Sequence, residues 1–251
     1  LKNITNWFIE MKVAITLDID WASDACLEYA FETIAAFKIP ITVFLTGKSN
    51  FINQLAKANG WELEPHPNYL PHSDHGLSQD EVTAHVRKFV FHTYGLRMHR
   101  YFVPNNFTID AFLPWITYTS NDVSHLTAKN PFINKWGIIE IPIFFEDGLY
   151  SLKNESFSVE DIMKQIDNDH YYVFNFHPIH IALNTREYAV SRKLKDTLPR
   201  REYNTLDKER LLAMRYDGYG MHNLLIDLLT HLKADGCKFY LMKTIANETK
   251  V

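Results

Sequence analysis

Residues 13–20 (VAITLDID) are a β-branched, apolar run that ends in acids, the pattern of a buried strand whose charged end emerges at a sheet edge. A helix is predicted next. Ser23 or Asp24 can cap it, and Leu27, Ala30, Phe31, Ile34 and Phe37 recur at helical spacing before Pro40. Residues 41–45 read as a second buried strand, and 50–59 as a short helix closed by Gly60. Ser78 with Glu81 has the form of a capping box for a helix running to about Tyr94 and closed by Gly95. Apolar runs at 138–145 and 171–176 have strand length, with a helix capped by Ser158 between them. A strongly apolar helix at 221–233 precedes a last strand at 238–245. This β-α-β order predicts a parallel sheet with helices packed outside it. No internal repeat or low-complexity tract is visible.

With 251 residues, 46% of them hydrophobic, the chain can bury one substantial core, and a single α/β barrel-sized domain is the simplest fit. A formal net charge of -4 gives no overall electrostatic reason to bind nucleic acid or an anionic membrane. The only cysteines, Cys26 and Cys237, have no CxxC spacing, so a disulfide framework and a zinc ribbon are not indicated and a reducing cytoplasm is the default. No apolar run approaches the roughly 20 residues needed to cross a bilayer, and residues 1–10 are too polar for a secretory segment. The expectation is therefore a cytoplasmic protein with no membrane span. One segment breaks the rhythm: 184–217 is crowded with Arg192, Lys193, Lys195, Arg200 and Arg201 among fewer acids. A solvated surface insertion is the favoured reading, and a lid that meets an anionic part of a substrate is the sharper one.

Alternation along a strand would project Asp18 and Asp20 together from the end of the first strand. Acids at strand ends are ordinary, yet two side by side repel unless a cation is near. A proline-punctuated loop then supplies His66, His72 and His75, and two imidazoles with one carboxylate leave open positions on a metal, as catalytic sites do. The strand ending at Phe176 delivers His177 to its carboxyl end, where α/β barrels assemble active sites, with His180 as a supporting or lining residue. Arg97 can fix a carboxylate in its ionised form, although surface charge explains it as well. Glu146 or Asp147 can orient the histidine, but solvated acids in a turn before Gly148 are the favoured reading there.

In this order the motifs TLDIDW (16–21), HPNYLP with SDHG (66–76), LRMHR (96–100), EIPIFFED (140–147) and FHPIHI (176–181) resemble the polysaccharide deacetylase superfamily with its NodB-like domain, and more nearly its WbmS-type members of O-antigen gene clusters. The resemblance implies an irregular (β/α)7-type barrel. It makes Asp18 the general base, Asp20 a metal ligand and His177 the general acid, with Arg97 holding the base in place. Family members usually set the two histidine ligands four residues apart, whereas here His66, His72 and His75 are separated by six and three. Which pair binds metal stays open. His66 and His75 are taken as the pair, and Trp21, Asn68, Tyr69 and His180 as substrate contacts. The implied activity is N-deacylation of an amino sugar, free or nucleotide- or lipid-linked, with a divalent metal, Zn²⁺ first among them. The rival readings are an amidohydrolase acting on a small non-sugar amide and a non-catalytic sugar-binding barrel.

Overall fold

A computed structural model of the chain describes residues 11–89, 93–104, 107, 109, 115–167 and 169–249. Among these residues the strands are β1 (Lys12–Asp18), β2 (Ile41–Leu45), β3 (Glu62–Pro65), β4 (Gly95–Leu96), β5 (Tyr118–Thr119), β6 (Phe132–Ile133), β7 (Ile139–Glu140), β8 (Phe145–Glu146), β9 (Tyr171–Phe176) and β10 (Lys238–Phe239). Strands β3-β2-β1-β9-β8 lie side by side in parallel, with β10 also on β1. In the second set, β4-β5-β7-β6, only the β6–β7 pairing is antiparallel. Backbone bonds join the sets into an irregular α/β barrel. The Arg97 N–H donates to the Pro65 carbonyl at 3.3 Å and the His99 N–H to that of Pro67 at 2.9 Å. The chain run 139–146 pairs first with β5 and then with β9.

Alternation along the strands decides what each side of the barrel wall becomes. On β1, Val13, Ile15 and Leu17 pack outward against Phe31 and Ile34 of the helix Asp24–Ala35 and against Leu225 and Leu228 of the helix Met221–Ala234. Ala14, Thr16 and Asp18 take the opposite side. Strand β9 repeats the division, with Tyr172, Phe174 and Phe176 outward and Val173 and Asn175 inward. The inner positions change character along the barrel. Ala14, Val173 and Ile139 lie in an apolar cluster closed by Met242 and Ile245, whereas Thr16, Asp18 and Asn175, further along, form a buried polar end. That end is the carboxyl end of the strands, where barrel enzymes hold their reacting groups.

Several predicted elements hold. Ser23 caps the helix Asp24–Ala35, and Asn50–Asn59 ends on Gly60 in the left-handed region at φ 68°. Others differ. The helix capped by Ser78 covers only Gln79–Val86, because tight bonds from Lys88 to His85 and from Phe89 to Val86 turn the chain out of it; Gly95 lies inside β4, and 90–92 fall outside the described residues. The run 138–145 divides into β7 and the start of β8. The last strand is only β10. Met242–Thr249 is a helix instead, since the Met242 and Lys243 N–H groups at its start are accepted by Thr42 Oγ1 and the Glu62 carboxylate. The basic segment 184–217 carries the helices Tyr188–Thr197, Arg200–Tyr203 and Lys208–Ala213. Among the described residues no helix is long and apolar enough to cross a membrane.

Candidate metal-centred active site

Asp18 ends β1 inside the barrel, and three strand systems hold it. Arg97, fully buried beyond β4, places Nη1 2.9 Å from Asp18 Oδ1, 2.9 Å from Thr16 Oγ1 and 2.7 Å from Asn175 Oδ1. Its other nitrogens donate to the Ser120 carbonyl and hydroxyl, and its guanidinium lies 4.0 Å from the centre of the Phe44 ring. Asn175 Nδ2 donates to Asp18 Oδ2 at 2.9 Å. Burial alone would raise the Asp18 carboxyl. Arg97 foremost, then His66 and His177, outweigh it and hold the group below its ordinary range. Asp18 is thus an ionised carboxylate fixed in one orientation.

Asp20 lies just past the strand, not on it. Its φ of 47° is in the left-handed region, so the chain turns there and the i, i+2 projection predicted for Asp18 and Asp20 does not occur. The turn carries the Asp20 carboxylate to two imidazoles. Single ligating atoms of Asp20, His66 and His99 all lie within 4.8 Å of one another. His66 Nε2 is 3.6 Å and His99 Nδ1 3.0 Å from Asp20 Oδ1, yet none of these three buried atoms has a hydrogen bond of proper alignment in the protein. His66 Nδ1 donates to the Arg97 carbonyl at 2.9 Å, which leaves the Nε2 lone pair facing Asp20. Burial raises the Asp20 carboxyl, but His99 and Lys195 more than offset this and hold it well below its ordinary range. A carboxylate and two imidazoles with disengaged acceptor atoms are the donor set that a divalent cation of the zinc kind requires.

Across from this set, His177 follows β9 with its ring Nδ1 donating to Asp147 Oδ1 at 2.7 Å and its backbone N–H to Asp147 Oδ2 at 2.6 Å. Its Nε2 lies 3.9 Å from Asp18 Oδ2. Burial pushes the imidazole down, but Asp147 outweighs it and lifts the group to about 10. The surrounding acids thus favour the protonated form of His177, whose Nε2 faces Asp18. Asp147 is fully buried and Glu146 caps the helix Asp147–Leu152 by accepting from Leu149 N–H, so these acids are not the solvated turn that was favoured from sequence.

The sequence profile of the WbmS-like polysaccharide deacetylases matches residues 15–195. The chain belongs to that family. In fold it is similar to a candidate polysaccharide deacetylase involved in O-antigen biosynthesis from Bordetella bronchiseptica, with a TM-score of 0.76, 21% identity, and 87% of this chain and 90% of that one covered. The allantoinase PuuE is similar over 96% of this chain and 90% of its own, with a TM-score of 0.58 and 11% identity. Curated protein sequences yield no match.

In this member of the WbmS-like family, Asp18, Asp20, His66, Arg97 and His177 meet at the carboxyl end of the barrel. His75 does not join them. Its Nδ1 accepts the Asn68 N–H at 3.1 Å, and the ring stacks on His85 with centroids 4.4 Å apart. Burial and then His85 push it down to about 4, so the ring is neutral; with Nδ1 accepting, the proton falls on Nε2, which is buried without a partner. His72 is exposed. Asn68 and Tyr69 line neither of the two cavities beside Asp20: Asn68 Oδ1 accepts from Leu70 N–H, and Tyr69 packs edge-on against Phe107. A cavity of about 390 Å³ opens on Asp20, His99, His177 and His180, and a second of about 200 Å³ on Asp20, His99 and Trp21.

Two contributors, His99 and Asn175, have no role in the sequence reading, and a third, Lys195, enters it only as one of several basic residues. His99 shares an alternation with Arg97, since Leu96 and Met98 point instead into an apolar cluster, and that period of two in LRMHR is the signal that would have found it. Asn175, the inward residue before His177, is found by the same rule. Lys195, whose Nζ lies 3.3 Å from Asp20 Oδ2, arrives from the basic segment and has no local pattern that marks it.

Proposed function

We propose that this protein is a divalent-metal-dependent hydrolase that removes an acyl group from the nitrogen of an amino sugar. The observation that carries the reading is the meeting of Asp20, His66 and His99, whose buried ligating atoms face one another without an aligned hydrogen bond, beside an arginine-held carboxylate and an aspartate-backed imidazole. Asp20, His66 and His99 would hold the metal, with Zn²⁺ favoured by two imidazoles and one carboxylate. A metal bound there supplies Lewis acidity towards water and an acyl carbonyl. Asp18, ionised through Arg97, accepts the proton of the attacking water. His177 gives its Nε2 proton to the departing nitrogen, so that the C–N bond breaks and a free amine leaves beside the carboxylic acid. Asp147 keeps that imidazole protonated and turned with Nε2 towards the reacting groups. Trp21 and His180, at the cavity walls, are placed to contact the sugar. An amino sugar of O-antigen assembly is favoured by the family and by the function given to the Bordetella relative. Cys26 and Cys237 are both unpaired, which suits work in the reducing cytoplasm.

The purified protein is expected to release acetate or formate from N-acylated amino sugars, to stop on chelation and to resume when zinc is restored. Acyl release that survives chelation, or sugar binding with no acyl release from any substrate, contradicts the proposal. Turnover confined to small non-sugar amides contradicts the choice of substrate.

A further inference from the structure

The larger cavity carries more positive charge than deacylation of a neutral sugar needs. Arg100, Arg192 and Lys195 line it, opposite Asp20 and Glu146. Lys195 approaches Asp20, and Arg192 forms an exposed pair with Asp196 on the same helix. Burial pushes Glu146 up to about 7, so it contributes only part of a negative charge near neutral pH. Arg100 is different. Among the described residues its guanidinium has no ion pair or hydrogen-bond partner, and its backbone is held at φ 56° and ψ 23°, with Tyr101 following at φ 57°. Two successive non-glycine residues in the left-handed region are strained, and such strain gathers where a ligand is gripped. The arrangement that imposes it is visible: His99 is drawn to Asp20, Tyr101 OH accepts from Asn175, and Arg100 lies between them at the cavity wall.

Resting on the deacylase reading above, we propose that the substrate is an anion, an N-acyl sugar joined through a diphosphate, whose phosphoryl oxygens are held by Arg100 and Arg192 with help from Lys195. Guanidinium groups match phosphate oxygens in fork geometry and stay charged at every working pH. The helix Tyr188–Thr197 supplies two of the three cations from outside the barrel wall, so the basic segment selects the substrate while the barrel performs the chemistry. Nucleotide-linked and lipid-linked sugars share the diphosphate, and the kinetic arms below separate them.

The test begins with binding of inorganic pyrophosphate to the chelated, metal-free protein, where pyrophosphate has no metal to strip, measured by calorimetry at two salt concentrations. Pyrophosphate is expected to bind, more weakly at the higher salt, and to lose about tenfold in affinity in Arg100→Gln and in Arg192→Gln, as loss of a charged hydrogen bond predicts. Arg100→Lys should recover part of the loss. Absence of binding, or equal binding by the variants, overturns the proposal. In the kinetic arm the metal-loaded protein is given one N-acyl sugar as a nucleoside diphosphate, as a lipid diphosphate and as a neutral methyl glycoside. Preference for either diphosphate, reduced in both arginine variants, supports the proposal and names the source. Equal or faster turnover of the methyl glycoside overturns it while leaving the hydrolase intact. Pyrophosphate binding that needs both arginines, with no acyl release from any substrate, keeps the anion site and defeats the hydrolase.

Discussion

At the scale of single residues, the proposed mechanism makes the pairing of His177 with Asp147 set the pH range of activity. Asp147 lifts the imidazole to about 10 against the downward pull of burial, so the proton that His177 would donate is present below that pH and is lost as pH rises through it. Asp147→Asn removes the charge and leaves the burial. The alkaline limb of kcat is expected to move towards neutral pH by about one to three pH units, with kcat at neutral pH lower by about 10- to 100-fold. A pH–rate profile checks both, and an unchanged alkaline limb contradicts the role given to Asp147. Asp18, His66 and His177 could be named from sequence because strand ends and the histidine loop mark where reacting groups gather, whereas only the family resemblance marked Arg97 out from surface charge. His99 and His75 exchange the expected order for a reason sequence does not carry. Whether an imidazole keeps a lone pair depends on which ring nitrogen the backbone engages, at the Arg97 carbonyl for His66 and at the Asn68 N–H for His75.

At the scale of elements, strand β4 is only two residues long, yet it aims Arg97 and His99. Gly95 makes its placement possible. A Cβ there would fall 2.0 Å from Tyr118 Cζ, and the Tyr118 ring cannot retreat because it is fully buried and its hydroxyl donates to Glu62 at 3.2 Å. Gly95→Ala should therefore push β4 away from β5, at a cost of about 1–3 kcal/mol, and weaken metal binding together with stability. Denaturant unfolding and metal titration of the variant check this, and unchanged values in both contradict it. Elements marked by strong local signals were legible, among them Asn50–Asn59 with its glycine stop and β9 with its unbroken apolar run. Those set by distant partners were not. Nothing local in 238–249 says that Thr42 and Glu62 will accept the first N–H groups of a helix, and β4 and β5 exist as strands only through their neighbours.

At the scale of the whole molecule, one barrel separates two tasks along its axis. Inner apolar residues at the start of the strands and the helix Met242–Thr249 close one end, while polar inner residues leave the other able to hold charge. The basic segment 184–217 then reaches over that polar end and brings Lys195 to Asp20. The parallel sheet with outer helices was legible from the alternation of strands and helices, and the barrel from the family resemblance. The reach of the basic segment was legible only as the less favoured lid reading, because a long-range contact between a lysine and a carboxylate leaves no local trace. The central claim is that Asp20, His66 and His99 form the metal site, and metal stoichiometry by mass spectrometry of the purified protein and two variants tests it most directly. About one equivalent of divalent metal is expected in the unaltered protein and in His75→Gln, and almost none in His99→Ala. Metal retained by His99→Ala and lost by His75→Gln would contradict the account.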